Sequence, residues 1–190
     1  LFSAVVSSNF FSTLQVPLIR GRGFLPGEET PGAAVQVMIA SYNYWQRLGF
    51  PADLVGRTLR VNERLFTVVG ITPKGFSGTM TLFGPELYFP LGCFDLLDND
   101  PRAGGLRTLA ASDNYSLMLV GRLKPGQTTA TAEPGLKTLA ARLRESQPVE
   151  MKDQTFTTRP LPRMSSSNAP ADETAISVFG LTLIGMASIV

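Results

Sequence analysis

The sequence predicts an α+β fold, with a strand-rich unit over residues 34–91 and a strand, helix, strand unit over 116–162, followed by a closing apolar run. Two observations predict the core of it. Short runs rich in apolar residues, many of them β-branched or aromatic before residue 91, recur at 34–40, 58–61, 65–71, 86–91 and 116–123, with turn residues between them. One amphipathic stripe, Leu136, Leu139, Ala140 and Leu143, falls at i, i+3, i+4 and i+7, the spacing of a helix with a single apolar face. A third observation stands apart: residues 175–190 contain no charged side chain.

Taken in order, residues 4–14 (AVVSSNFFSTL) begin as a strand and continue into a short helix or turn. Val16, Pro17 and Leu18, then Gly21-Arg22-Gly23, break that pattern, and a loop runs through Pro26, Gly27, Pro31 and Gly32. The run at 34–40 is a strand. Ser41 is placed to cap a helix through Tyr44, Trp45 and Leu48, and Gly49 stops it. Residues 58–61 and 65–71 pair as a hairpin around Asn62, Glu63 and Arg64. Glycines 75, 78 and 84 mark a loop that carries the apolar residues Phe76, Met80, Leu82 and Phe83. A strand follows at 86–91, and Pro90 places it at a sheet edge or at a strand end. Residues 95–114 are polar and turn-rich, a linker or flexible loop. The run at 116–123 is a strand, Lys124 to Gln127 a turn, and the striped helix ends near Glu145 with Pro134 in its first turn or kinking it. A strand at 156–162 closes the unit, and there is no internal repeat.

Composition removes several function classes. The formal charge is +2, and Arg20, Arg22, Arg57, Arg60, Arg64 and Arg122 are scattered instead of forming the stripe that nucleic acid requires. A single cysteine, Cys93, cannot close an intramolecular disulfide, so the core must hold the fold. The sequence has no histidine, which excludes Ser-His-Asp and Cys-His nucleophiles and imidazole metal sites together. The chain starts at Leu1 without an initiator Met or a signal pattern, so it reads as a piece of a longer protein.

The motifs that carry chemistry are weak. No phosphate-binding Gly-Lys-Ser/Thr loop is present, so any ATP hydrolysis is done elsewhere. Gly75-Phe76-Ser77-Gly78 resembles a nucleophile elbow, yet Thr79 replaces the final glycine and no histidine can act as base. Asp98-Asn99-Asp100 opens like a calcium loop, but Arg102 stands where an oxygen ligand is needed, and a solvated acidic turn is the better reading. Glu28 and Glu29 could do acid-base work, although adjacent loop acids are usually just hydrated. Arg20 to Gly23 could bind an anion through guanidinium groups and turn amides, or form a turn with surface charges. Tyr44 and Trp45 read as core anchors before they read as a ligand platform. Residues 76–83 are either an interaction surface or a loop folded over the core. No residue is assigned as catalytic, cofactor-binding or metal-ligating, and the substrate-binding residues are unknown; the chain is not expected to be an enzyme.

The terminal run AISVFGLTLIGMASIV at 175–190 is shorter than the roughly 20 residues that span a bilayer, so it is a buried helix or the start of a transmembrane one. It lacks the polar face of a soluble surface helix, which favours the membrane. No Lys or Arg follows Arg163, and the lead-in carries only Asp172 and Glu173, as expected of an extracytoplasmic flank.

Three strings in order, VSSNFFSTLQVPLIRGRGF at 6–24, VMIASYNYWQRLGFPADLVGRTLRVNERLFTVVGITPKGFSG at 37–78 and LMLVGRLKPGQTTATA at 117–132, resemble the MacB-like periplasmic core domain of FtsX-like ABC transporter permeases. The resemblance implies a domain between the first and second transmembrane helices of a four-helix permease in the bacterial inner membrane. It implies a Porter-like α/β subdomain at 1–15 and 115–165, interrupted by a strand-rich Sabre-like subdomain at 16–114, with a linker at 166–174 and the start of a transmembrane helix at 175–190. It further implies mechanotransmission, in which cytoplasmic ATP hydrolysis moves the transmembrane helices and the periplasmic parts move in response. The partners implied are a cytoplasmic ABC ATPase domain or subunit, a second permease subunit and the membrane, with a periplasmic adaptor left open, no nucleic acid and no cofactor. Two other classes stay open beside it: a secreted or membrane-anchored module binding a peptide or envelope protein, and an extracytoplasmic hydrolase, which is hard to build without histidine.

Overall fold

The computed structural model describes residues 1–31, 35–79, 84–97, 108–109, 117–147, 155–156, 158 and 161. The chain divides into two compact units, Leu1–Asn114 and Tyr115–Val190.

The first unit is built on one mixed sheet. Its strands are β1 (Ser3–Val6), β2 (Arg20–Gly21), β3 (Val37–Ala40), β4 (Thr58–Val61), β5 (Arg64–Ile71) and β6 (Leu87–Pro90). The order is β1-β6-β3-β5-β2, with β4 also on β5. β1 with β6 and β3 with β5 are parallel; β3 with β6, β2 with β5 and β4 with β5 are antiparallel. Thr67 pairs with both Val37 and Thr58, and Gly70 with both Ile39 and Gly21, so β4 and β2 follow one another along the same edge of β5. All four residues of β3 and of β6 are buried, which suits their positions inside the sheet and their unbroken apolar sequences.

Each face of the sheet carries its own core. Met38, Ala40, Phe66, Val68, Leu87 and Phe89 pack on one side with Trp45 and Leu54. Val37, Ile39, Val6 and Tyr88 pack on the other with Phe11 and Phe24. The period-two alternation of a strand divides the residues of β3 in this way, and a register shift opposite Met38 and Ile39 adds one residue to β5, so that Ile71 joins Phe66 and Val68 on the first face. Helix α1 (Phe10–Thr13) brings Phe11 onto the second face. Helix α2 (Tyr42–Arg47) starts where Ser41 Oγ accepts the Tyr44 amide at 3.1 Å, as its sequence predicts. The chain leaves α2 through two left-handed residues, Gly49 at φ +79° and Phe50 at φ +59°, and Trp45 Nε1 donates to the Pro51 carbonyl at 2.9 Å. The β4–β5 hairpin turns on Asn62 and Glu63, both with positive φ, the geometry whose twist matches that of the strands.

Several expectations change. The Gly-Arg-Gly stretch is not only a break: Arg20 and Gly21 form β2, which crosses β5 so closely that a Cβ on Gly21 would lie 2.1 Å from the Val69 carbonyl oxygen. Pro90 ends β6, but β6 is not an edge, since β1 and β3 flank it. The linker expected from residue 95 is entered through helix α3 (Phe94–Leu97).

In the second unit, helix α4 (Thr129–Ser146) is capped by Thr128, whose hydroxyl accepts the Thr131 amide at 3.2 Å. The helix continues through Pro134, which lies beyond the first turn. Of its stripe, Ala140 is buried, Leu136 and Leu143 are half-buried and Leu139 is exposed. Residues 117–123 do not form the expected strand: they enter no ladder among the described residues, and Leu117, Met118, Leu119 and Leu123 are exposed. Residues 155, 156, 158 and 161 are likewise not in a strand. The expected linker at 166–174 and the apolar run at 175–190 lie outside the described residues. Among the described residues, no helix is long and apolar enough to cross a membrane.

Candidate functional site

The residues singled out in the sequence converge on a set of ties that hold loops to the sheet of the first unit. After β2, the 3-10 turn Pro26–Glu28 folds Glu28 back so that only 5% of it is exposed. Arg22 meets its carboxylate in a fork, Nη1 donating to Oε2 at 3.0 Å and Nη2 to Oε1 at 2.7 Å, and the Leu25 amide donates to Oε2 at 2.8 Å. Burial pushes the Glu28 carboxyl up, but the Arg22 hydrogen bonds and the Leu25 amide outweigh it and hold the group below its ordinary value. Glu29 points elsewhere and accepts the Ser8 amide at 2.6 Å, joining this loop to the end of β1. The two carboxylates are therefore occupied by separate backbone and guanidinium partners, and they form no acid-base pair.

Arg20, the other cation of the Arg-Gly-Arg-Gly stretch, lies with its guanidinium carbon 5.0 Å from the centroid of the Trp45 ring and donates to the Ala52 carbonyl at 3.3 Å. Arg20 and Arg22 thus serve different contacts and do not converge on an anion. Trp45 is a core anchor, and Tyr44 carries Arg47 at 5.3 Å from its ring centroid. Arg47 also pairs with Glu86, linking α2 to the residue before β6. That pairing is the main cause holding the Glu86 carboxyl below its ordinary value.

Phe76 resolves one alternative for its own position. Its ring is stacked with Tyr88 at 5.9 Å and meets Phe11 at 5.9 Å and Phe10 at 6.4 Å, so it is part of a loop folded onto the core. Gly78 belongs to the same packing, since a Cβ there would stand 3.3 Å from the Tyr88 hydroxyl. That hydroxyl is buried without a hydrogen-bond partner among the described residues, and burial pushes its pKa well up. Cys93 is buried, with its thiol 3.6 Å from the Val35 carbonyl, and burial raises it as well. Met80, Leu82, Phe83, Asp98, Asn99, Asp100 and Arg102 lie outside the described residues. Among the described residues, no cluster of His, Cys, Asp or Glu is placed to hold a metal ion.

One feature was not singled out in the sequence. β4 pairs only with β5, and its outer side carries no strand among the described residues. The exposed Arg60 lies there opposite Leu65, which is 61% exposed. The signal was present in TLRVNERL, where arginines alternate with apolar residues across a two-residue turn. Together these residues pin loops to a two-faced sheet, and among the described residues the outer side of β4 is left unpaired.

A family model described as the MacB-like periplasmic core domain matches residues 2–139. No curated protein sequence matches the chain. Among solved structures, the periplasmic region of MacB from Actinobacillus actinomycetemcomitans is similar at a TM-score of 0.46 and 16% identity, covering 79% of this chain. The chain spans 64% of that structure's length. A domain assigned to a permease protein from Porphyromonas gingivalis is similar at a TM-score of 0.49 and 15% identity, over 86% of this chain and 67% of the other.

Proposed function

This chain belongs to the MacB-like periplasmic core domain family, and on that premise we propose that it is the extracytoplasmic part of an ABC transporter permease that couples ATP-driven motion of transmembrane helices to export or extraction of an envelope substrate. The observation that carries the reading is the family match over residues 2–139, a span that includes the whole sheet and much of α4. The geometry supports it. A domain that relays displacement needs its loops fixed to a stiff body, and the Arg22–Glu28, Ser8–Glu29 and Arg47–Glu86 contacts tie separate segments to one two-faced sheet.

In this proposal the parent protein sits in the bacterial inner membrane with this domain on the periplasmic side. Its partners are a cytoplasmic ABC ATPase domain or subunit and a second permease subunit. Residues 1–15 and 115–165 form the Porter-like part and 16–114 the Sabre-like part; β1 is the portion of the N-terminal piece that pairs with β6. Residues 166–174 are the linker and 175–190 begin a transmembrane helix. Family membership does not identify the cargo.

The test is a topology map of the parent protein with compartment reporters fused at successive positions. The expected pattern is one span before this domain, three from about residue 175 onward, and an extracytoplasmic signal within residues 1–165. A single anchor without further spans would replace the permease by the membrane-anchored binding module, and a cytoplasmic signal within 1–165 would remove both.

A further inference from the structure

We propose that the open edge of β4 is a docking strand for an extended segment of a partner protein, one that alternates acidic and apolar residues. Val68 donates to the Arg57 carbonyl at 3.0 Å, and in an antiparallel pair the inward-facing backbone groups recur at every second residue. Arg57, Leu59 and Val61 therefore turn their backbone groups toward β5, and Thr58 and Arg60 turn theirs outward. No strand takes them among the described residues. An added strand would find those amides and carbonyls already spaced for a ladder.

The side chains then select what the strand must look like. On one face of the hairpin, Thr58 and Arg60 stand opposite Thr67 and Leu65. Arg60 is exposed, and no ion pair or hydrogen bond of its side chain is found among the described residues. On the other face, Leu59 and Val61 are half-buried against the core that contains Phe66 and Trp45. The apolar layer stops there, at an edge that a further apolar residue could extend. A strand laid along β4 thus sets every second residue beside Leu59 and Val61, and the residues between them beside Arg60.

The same pattern argues against a second copy of this chain. Two β4 edges laid antiparallel would bring Arg60 of one near Arg60 of the other, a like-charge arrangement that destabilises cross-strand neighbours. A charged residue on an edge can also simply guard it against pairing. A guard, however, leaves unexplained the incomplete apolar layer at Leu59 and Val61. The inference does not depend on the transport reading, because it uses only the geometry of the hairpin.

The experiment uses the full-length chain and a fluorescein-labelled eight-residue peptide of alternating Glu and Val. Comparators are an alternating Lys-Val peptide and a peptide of the same Glu and Val content in two blocks. Binding is followed by anisotropy, and backbone protection by hydrogen exchange. The expected result is saturable binding of the alternating Glu-Val peptide alone, with slowed exchange at the Thr58 and Arg60 amides. Arg60→Glu weakens binding at least tenfold. Arg60→Pro, which removes an outward amide and keeps an extended φ, abolishes it. Equal binding of the Lys-Val peptide, binding without protection of Thr58 and Arg60, or no binding overturns the proposal. So does self-association that protects these same amides, or binding of anionic lipid vesicles in place of the peptide. Should Arg60→Pro unfold, exchange on the unaltered protein decides the matter.

Discussion

Glu28 shows how much a single side chain is asked to do. Its carboxylate closes the turn that contains it through the Leu25 amide and holds Arg22 in a fork, while its own backbone carbonyl lies against Gly92, where a Cβ would come within 2.4 Å. Glu28→Gln keeps the shape but removes the charge, and is expected to cost about 2 kcal/mol in urea unfolding at pH 7, the scale of hydrogen bonds to a charged group. The pH dependence has a definite sign. Because the folded carboxyl sits below its ordinary value, its contribution is complete above the unfolded carboxyl range near ~4.3 and is lost as pH falls through the folded value. Glu28→Gln therefore flattens that part of the acid limb, and an unchanged limb would show that Glu28 does not carry it. Sequence reading found this residue but could not decide its role, since the pairing with Arg22 rests on a 3-10 turn that adjacent acids in a loop do not announce. Ser41 was legible because a cap is a local event: a hydroxyl, an amide three residues on, and a helix that begins between them.

At the scale of elements, the hairpin and the α2 cap were readable and the ladders were not. The expected strands at 58–61 and 65–71 differ from β4 and β5 by one residue, because Asn62 and Glu63 complete the turn and Arg64 already pairs with Val61. Glu63 holds φ +66° without the freedom of glycine. Glu63→Gly is expected to raise stability by about 0.5–1 kcal/mol, read as a shift in the urea midpoint at unchanged slope. A loss would mean that the Glu63 side chain makes a contact worth more than the backbone relief. β2 escaped notice because two residues carry no periodicity, and their strand character comes from Gly21 and Gly70 meeting at a crossing distance no other residue tolerates. The opposite error occurred at 117–123, where a short apolar run fits the strand template but cannot by itself supply a neighbouring ladder. Of the two places its sequence allows, a sheet edge or a strand end, Pro90 takes the strand end. Nothing in its neighbours could say that β1, some eighty residues earlier, would lie beside it.

Across the whole molecule, the first unit depends on one sheet with a core on each side, and Phe66 is central to the larger of them. It is fully buried in β5, and its ring meets Phe89 at 4.9 Å. Phe66→Ala is expected to cost about 3–5 kcal/mol, measured by urea or thermal unfolding; a cost under about 1 kcal/mol would mean that the core closes over the gap. The fold class was legible because strand runs and one striped helix are written locally. The order of the strands was not, because it is set by which faces bury one another. The parallel seam between β1 and β6, pairing Ser3 with Leu87, has a consequence in time. During synthesis at ~5–20 residues per second, the first strand waits about 4–16 seconds for its neighbour to emerge from the ribosome. Throughout that interval β1 lacks the strand it pairs with among the described residues, so Val5 and Val6 are seated late in the assembly of the sheet.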